Sequence, residues 1–184
     1  MCIRDSFWVG SNGIYRGQKG DLFEGGHRVA GIFNWPGKIP MGSVSEEIAT
    51  TMDLAPTFVS LAGIPNSDRQ AFDGIDISPV LFNQDSLPSR TIFWRFNNLS
   101  ASQIKKAMAK GNMDETLYTD SYARAVRKGD WKFVLEEGKR YLFDLSKDPA
   151  ERNNLASKNL ERVEAMDAAF LEWEAEVTQN VPSP

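Results

Sequence analysis

The sequence predicts a mixed α/β chain that closes in a small antiparallel sheet packed by one long helix. Three observations predict it. First, three β-prone runs at 122–128, 131–135 and 140–145 follow closely, separated by Gly129-Asp130 and by Glu136-Glu137-Gly138-Lys139. Gaps this short favour antiparallel neighbours. Second, Leu160, Val163, Met166, Phe170, Trp173 and Val177 recur at steps of three and four, so a helix is expected over about 158–177. Third, strand-like and helix-like segments both occur upstream, with no internal repeat.

Residues 1–6 (Met1-Cys2-Ile3-Arg4-Asp5-Ser6) read neither as a signal, nor as a capped helix, nor as a first strand. They are expected to be a non-native or disordered start. Residues 7–24 carry Gly10, Gly13, Gly17 and Gly20, and the pair Gly25-Gly26 follows. Such a loop needs positive φ or close backbone approach. The apolar run Val29 to Trp35, ended by Pro36-Gly37, predicts a buried strand. From 46 to 62 a helical period places Met52, Ala55, Val59 and Ala62 on one side, with Gly63 as the stop and a break near Pro56.

Asp73-Gly74 predicts a turn, 91–96 a strand, and 100–110 a basic, partly amphipathic surface helix. In the run after Gly129-Asp130, Trp131, Phe133 and Leu135 alternate with Lys132, Val134 and Glu136. That alternation predicts one buried face, which the final helix would cover.

Composition narrows the function classes. The 184 residues are 41% hydrophobic, with five Trp and eleven Phe, enough to bury a core. A net charge of -4 and a pI near 5.1 give no basic footprint for nucleic acid. No apolar run reaches the length of a bilayer-spanning helix. Cys2 is the only cysteine, so neither an internal disulfide nor a cysteine zinc site can form.

The segment with chemical content is Arg16-Gly17-Gln18-Lys19-Gly20-Asp21-Leu22-Phe23-Glu24-Gly25-Gly26-His27-Arg28-Val29, followed by Trp35-Pro36-Gly37-Lys38-Ile39. Glycines beside Lys19 let its ammonium approach an anion. A compact positive charge suits a phosphate or sulfate oxygen. The same neighbourhood also describes an ordinary solvated loop lysine.

The pattern R-G-x-K-G-x-x-x-E-G-G-x-R-V, then W-P-G-K-I, resembles the second signature region of the sulfatases. Two further stretches agree with that family in order. One is Thr51-Met52-Asp53-Leu54-Ala55-Pro56-Thr57 through Leu61-Ala62-Gly63 to Asp73-Gly74-Ile75-Asp76. The other runs from Val126-Arg127-Lys128-Gly129-Asp130-Trp131-Lys132 through Leu142-Phe143-Asp144-Leu145 to Asp148-Pro149 and Asn154-Leu155. The resemblance covers nearly all of the chain after Phe7, and three ordered matches are more specific than any one motif.

The resemblance implies an α/β, alkaline-phosphatase-like sandwich. Residues 7–120 would be the C-terminal portion of the catalytic domain, and 121–184 a small α+β subdomain with the terminal helix. It implies a sulfuric ester hydrolase acting on a sulfated carbohydrate or another small organic sulfate, commonly exported or lysosomal. In that family a formylglycine, made from Cys or Ser in C/S-x-P-S-R, attacks sulfur while calcium and cationic side chains stabilise the developing charge. Lys19 matches the family lysine that contacts the sulfate, and is this chain's catalytic and substrate-binding candidate. The formylglycine motif and the calcium carboxylates have no counterpart here, no metal ligand is assigned, and the isolated chain is expected to show no turnover. A phosphate or phosphonate ester hydrolase of the same superfamily, and a non-catalytic binding module on the same scaffold, are the alternatives.

Two look-alikes do not restore the missing parts. Ser11-Asn12-Gly13 is similar to a calcium-site motif but lacks the preceding Asp, and Ser86-Leu87-Pro88-Ser89-Arg90 fits S-x-P-S-R yet follows the lysine segment and leads into a strand. His27 is expected to pack or hydrogen-bond, and Glu24 and Arg28 to pair within the loop. Asp53, Asp73 and Asp76 are expected to cap helices and close turns.

Overall fold

The computed structural model describes residues 11–64, 72–97 and 122–179. The start expected at 1–6 and the helix expected at 100–110 lie outside them. In chain order the helices are α1 (Glu24–His27), α2 (Leu54–Leu61), α3 (Ser78–Asn83) and α4 (Leu160–Thr178). The strands are β1 (Thr91–Asn97), β2 (Tyr122–Lys128), β3 (Trp131–Glu136) and β4 (Lys139–Asp144). The chain divides into two compact units, Met1–Val29 with Arg90–Pro184, and Ala30–Ser89.

The first unit is built on one four-stranded antiparallel sheet, in the order β1-β2-β3-β4. The meander expected from three runs gains a fourth strand, because Thr91–Asn97 pairs along its length with Tyr122–Lys128. Side chains alternate across the sheet as strand geometry requires. Val126, Phe133 and Leu142 sit side by side on one face, under Val163, Met166 and Phe170 of α4. Phe93 stacks on Trp173 at 5.0 Å, so β1 shares this core. Leu160 and Val177, placed on the apolar stripe by spacing, are 61% and 47% exposed: the stripe outruns the sheet at both ends.

The opposite face carries Ala123, Ala125, Val134 and Phe143, and it is buried as well. Leu22 and Phe23 cover it. The single buried face expected for β3 is therefore corrected. Lys132, on the side that alternation assigns to solvent, is fully buried, because the glycine-rich segment folds over that side.

In the second unit, the helix expected from residue 46 begins later. A 3-10 turn at Thr51–Asp53 leads into α2, which places Pro56 in its first turn, where a missing N–H costs nothing. The buried side of this element is Asp53, Pro56 and Thr57, whereas Met52 and Phe58 are exposed. The buried face is set by hydrogen bonding. Asp53 accepts from the Thr50 N–H at 2.6 Å and the Ile75 N–H at 3.0 Å, and the Thr57 hydroxyl accepts from the Ile77 N–H at 3.0 Å. Gly63 ends α2 as expected, in a Schellman arrangement with Gly63 N–H to the Ser60 carbonyl and Ile64 N–H to the Val59 carbonyl.

Residues 29–35 do not form the expected strand. Val29 and Ile32 are 82% and 90% exposed. A strand needs a neighbouring edge, and the described residues of the second unit hold no other strand.

Candidate functional site

Lys19 stands at the tip of a tight turn. The Asp21 N–H donates to the Gln18 carbonyl at 2.9 Å, and Gly20 holds φ +97, as the third position of a type II turn requires. The Asp21 carboxylate closes the turn by accepting from the Gln18 N–H at 2.8 Å. The lysine side chain is exposed, and no carboxylate among the described residues pairs with it. Both sequence expectations for this loop hold: glycines at positive φ, and backbone brought close. A Cβ on Gly26 would lie 2.0 Å from the Asp21 carbonyl oxygen.

Just behind the turn, the chain drives Leu22 and Phe23 onto the sheet. The Phe23 ring meets Tyr141 edge-on at 5.7 Å, and the Arg16 guanidinium lies 3.7 Å over its centroid. The turn is thus mounted on a packed apolar base.

Next to that base lies a buried charge cluster. Lys132 Nζ is 2.9 Å from Glu24 Oε1, 3.0 Å from Glu151 Oε1 and 2.9 Å from His27 Nε2. All three charged side chains are essentially excluded from water. Arg127 reaches Glu24 Oε2 at 3.2 Å, and Arg28 approaches the same oxygen at 3.6 Å. Glu151 Oε2 accepts from the Glu24 N–H at 2.6 Å, and the Glu151 carbonyl accepts from Arg16 at 3.2 Å.

Burial raises the Glu24 carboxyl, but the attraction and hydrogen bond of Lys132, with Arg127 and His27, outweigh it and hold the group below its usual range. Glu151 goes the other way: burial lifts its carboxyl, only partly countered by Lys132 and the Glu24 N–H. His27 falls to about 4, first through burial and then through the neighbouring Lys132 charge, and it is neutral at pH 7. It stacks on Trp94 at 4.5 Å, the packing and hydrogen-bonding role expected for it. The Glu24–Arg28 pairing expected from sequence is also present.

The donor sets do not fit calcium. Among the described residues, no group of three or more His, Cys, Asp or Glu is arranged to hold a metal ion. In the acidic cluster the Lys132 ammonium occupies the centre. The Asn12 amide nitrogen holds the Gly17 carbonyl at 2.6 Å, so this residue shapes the loop. Ser86 to Arg90 is irregular chain leading into β1, consistent with a loop before a strand. Asp53 and Asp76 act as the capping and turn residues expected, Asp76 accepting from the Ser78 N–H at 2.8 Å.

The sequence family described as N-sulphoglucosamine sulphohydrolase, C-terminal, matches residues 12–173. This chain belongs to the sulfatases. It is 31% identical to human (Homo sapiens) steryl-sulfatase over 184 residues, covering 94% of this chain and 32% of that protein. It is 31% identical to arylsulfatase A of Bos taurus, covering 92% and 35%. With N-acetylgalactosamine-6-sulfatase of Sus scrofa the identity is 46% over 97 residues, 52% of this chain and 18% of that one. The chain spans about a third of the length of the first two.

Among solved structures, Ps i-CgsB in complex with k-i-k-neocarrahexaose superposes with a TM-score of 0.68 at 24% identity, covering 86% of this chain and 31% of that one. A Bacteroides thetaiotaomicron protein, described in terms of the metabolism of multiple glycosaminoglycans, gives 0.66 at 21%, covering 88% and 32%. The α/β fold is therefore that of the C-terminal part of sulfatases, with the antiparallel sheet and long terminal helix expected.

Sequence reasoning missed two residues of this sulfatase loop's surroundings, Lys132 and Glu151. A signal for the first was present: a lysine flanked by Trp131 and the apolar run Phe133-Val134-Leu135. Glu151 carried none, since its partner Glu24 lies 127 positions away.

Proposed function

We propose that this chain is the C-terminal part of a sulfatase that hydrolyses organic sulfate esters, and that the Lys19 ammonium contacts the sulfate group. The observation carrying this reading is the family match over residues 12–173, which includes the lysine turn. The geometry supports it: an exposed ammonium, unpaired among the described residues and set at the tip of a hydrogen-bonded turn, can offer N–H donors to sulfate oxygens. A fixed positive charge of this kind is most useful where negative charge develops on the transferring group.

The calcium ion and formylglycine nucleophile implied by the family belong, in this reading, to polypeptide beyond these 184 residues, and the exported or lysosomal setting comes with them. The substrate is a small-molecule or carbohydrate sulfate ester. A single lysine replaces neither nucleophile nor metal, so the isolated chain is inactive. The purified chain, supplied with calcium, is assayed against an aryl sulfate. No release of the phenol is expected; measurable turnover would overturn the assignment of the nucleophile elsewhere.

A further inference from the structure

We infer that Glu151 is the positioning residue of the Lys19 turn, gripping both of its ends at once; this rests on the reading of Lys19 given above. The turn is bounded by Arg16 on one side and Glu24 on the other, and both are held by the same residue. The Glu151 carbonyl accepts from the Arg16 guanidinium at 3.2 Å, and its carboxylate accepts from the Glu24 N–H at 2.6 Å. The grip is itself anchored. Glu151 is fully buried, adopts φ +53, and pairs with Lys132, whose ammonium also holds the Glu24 carboxylate at 2.9 Å.

The two ends are further joined to each other, since the Gly25 N–H donates to the Arg16 carbonyl at 2.7 Å. Between them Gln18 and Lys19 stand exposed at the tip, while Leu22 and Phe23 are buried on the sheet. The buried carboxylate and the left-handed backbone act together in this arrangement: they aim side chain and carbonyl of one residue at Glu24 and Arg16, each more than a hundred positions away. Lys132 acts through Glu24 and Glu151, and neither it nor Glu151 touches the turn's tip.

The test is amide hydrogen exchange on the 184-residue chain, comparing Gly17 to Phe23 with the amides of β2 and β3. In Glu151→Ala, exchange at Gly17 to Phe23 should rise at least tenfold while β2 and β3 keep their protection. Both variants keep the main-chain carbonyl that accepts from Arg16, but only Glu151→Gln also keeps a side-chain acceptor for the Glu24 N–H, so it should retain most of the loop protection. Equal acceleration of loop and sheet in Glu151→Gln would show that Glu151 merely stabilises the unit, and unchanged loop exchange in Glu151→Ala would also overturn the inference. Lys19→Ala should leave loop exchange as in the wild type while removing any shift of the turn's amide resonances on adding inorganic sulfate. A sulfate response that is absent from the wild type, or that persists in Lys19→Ala, contradicts the role of Lys19 and leaves the Glu151 result to stand on exchange.

Discussion

Lys132 of β3 and Glu24 at the start of α1 form an ion pair of 2.9 Å, with side chains 0% and 1% exposed. They lie 108 positions apart in sequence. The pair ties the segment carrying Lys19 to the centre of the C-terminal sheet.

Removing the cation should be costly. In Lys132→Met two carboxylates, Glu24 and Glu151, remain buried without their shared partner. Breaking such a pair from one side costs about 3–5 kcal/mol. Urea denaturation of the two proteins measures it, and a loss under ~1 kcal/mol, the range of an exposed pair, would contradict the burial described.

Acid should weaken the first unit in a defined window. His27 titrates near 6.5 when unfolded and about 4 when folded. Between those values the unfolded chain binds a proton that the folded chain refuses. Its contribution is therefore fully present above 6.5 and is lost as pH falls towards 4, by about 3 kcal/mol at ~1.4 kcal/mol per pH unit. Glu151, raised by burial, offsets part of this above its ordinary range, while the depressed Glu24 adds to the loss at lower pH. Urea midpoints at pH 7, 5.5 and 4.5 should fall more steeply for the wild type than for His27→Gln. Parallel curves would refute the assignment.

Backbone proximity at the turn gives a third expectation. Gly26→Ala places a Cβ 2.0 Å from the Asp21 carbonyl oxygen, so main chain has to move. A cost of about 1–3 kcal/mol is expected, in the range of overpacked cores. Gly31→Ala, whose nearest neighbour is a ring carbon of Phe33 at 3.7 Å, serves as the control and should be near neutral. Thermal unfolding of both variants distinguishes them.

The helix-covered face of the sheet supplies a fourth. Phe170 is fully buried among Val126, Phe133, Leu142 and Phe93, and Phe170→Ala should cost about 3–5 kcal/mol. Leu171, its neighbour in sequence, is 48% exposed, and its alanine variant should stay within ~0.5 kcal/mol. Comparable losses for both would mean that α4 packs by another face.

Much of this was legible because it is local. Turn dipeptides and period-two alternation located β2, β3 and β4, and the stripe from Val163 to Trp173 located α4. The glycines around Lys19 marked a turn, and Gly20 does hold the positive φ such a turn needs. Non-local choices were not legible. Alternation assigned Lys132 to solvent, because strand spacing cannot say that Leu22 and Phe23 return to cover the second face. The apolar run 29–35 looked like a buried strand, since composition reports burial tendency and not whether a pairing edge exists. Met52 and Ala55 suggested the inner side of the 46–62 helix, yet hydrogen bonds donated by the Ile75 and Ile77 N–H groups to Asp53 and Thr57 turned it the other way.

The central claim is that Lys19 meets the sulfate of the substrate in a sulfatase of which this chain is the C-terminal part. It is tested most directly by kcat/KM for an aryl sulfate, measured on the longer sulfatase polypeptide carrying this sequence, with and without Lys19→Ala. Loss of one charge-stabilising donor predicts a fall of about 10²–10³ in kcat/KM, with the fold intact by circular dichroism. An unchanged kcat/KM in the folded variant would contradict it.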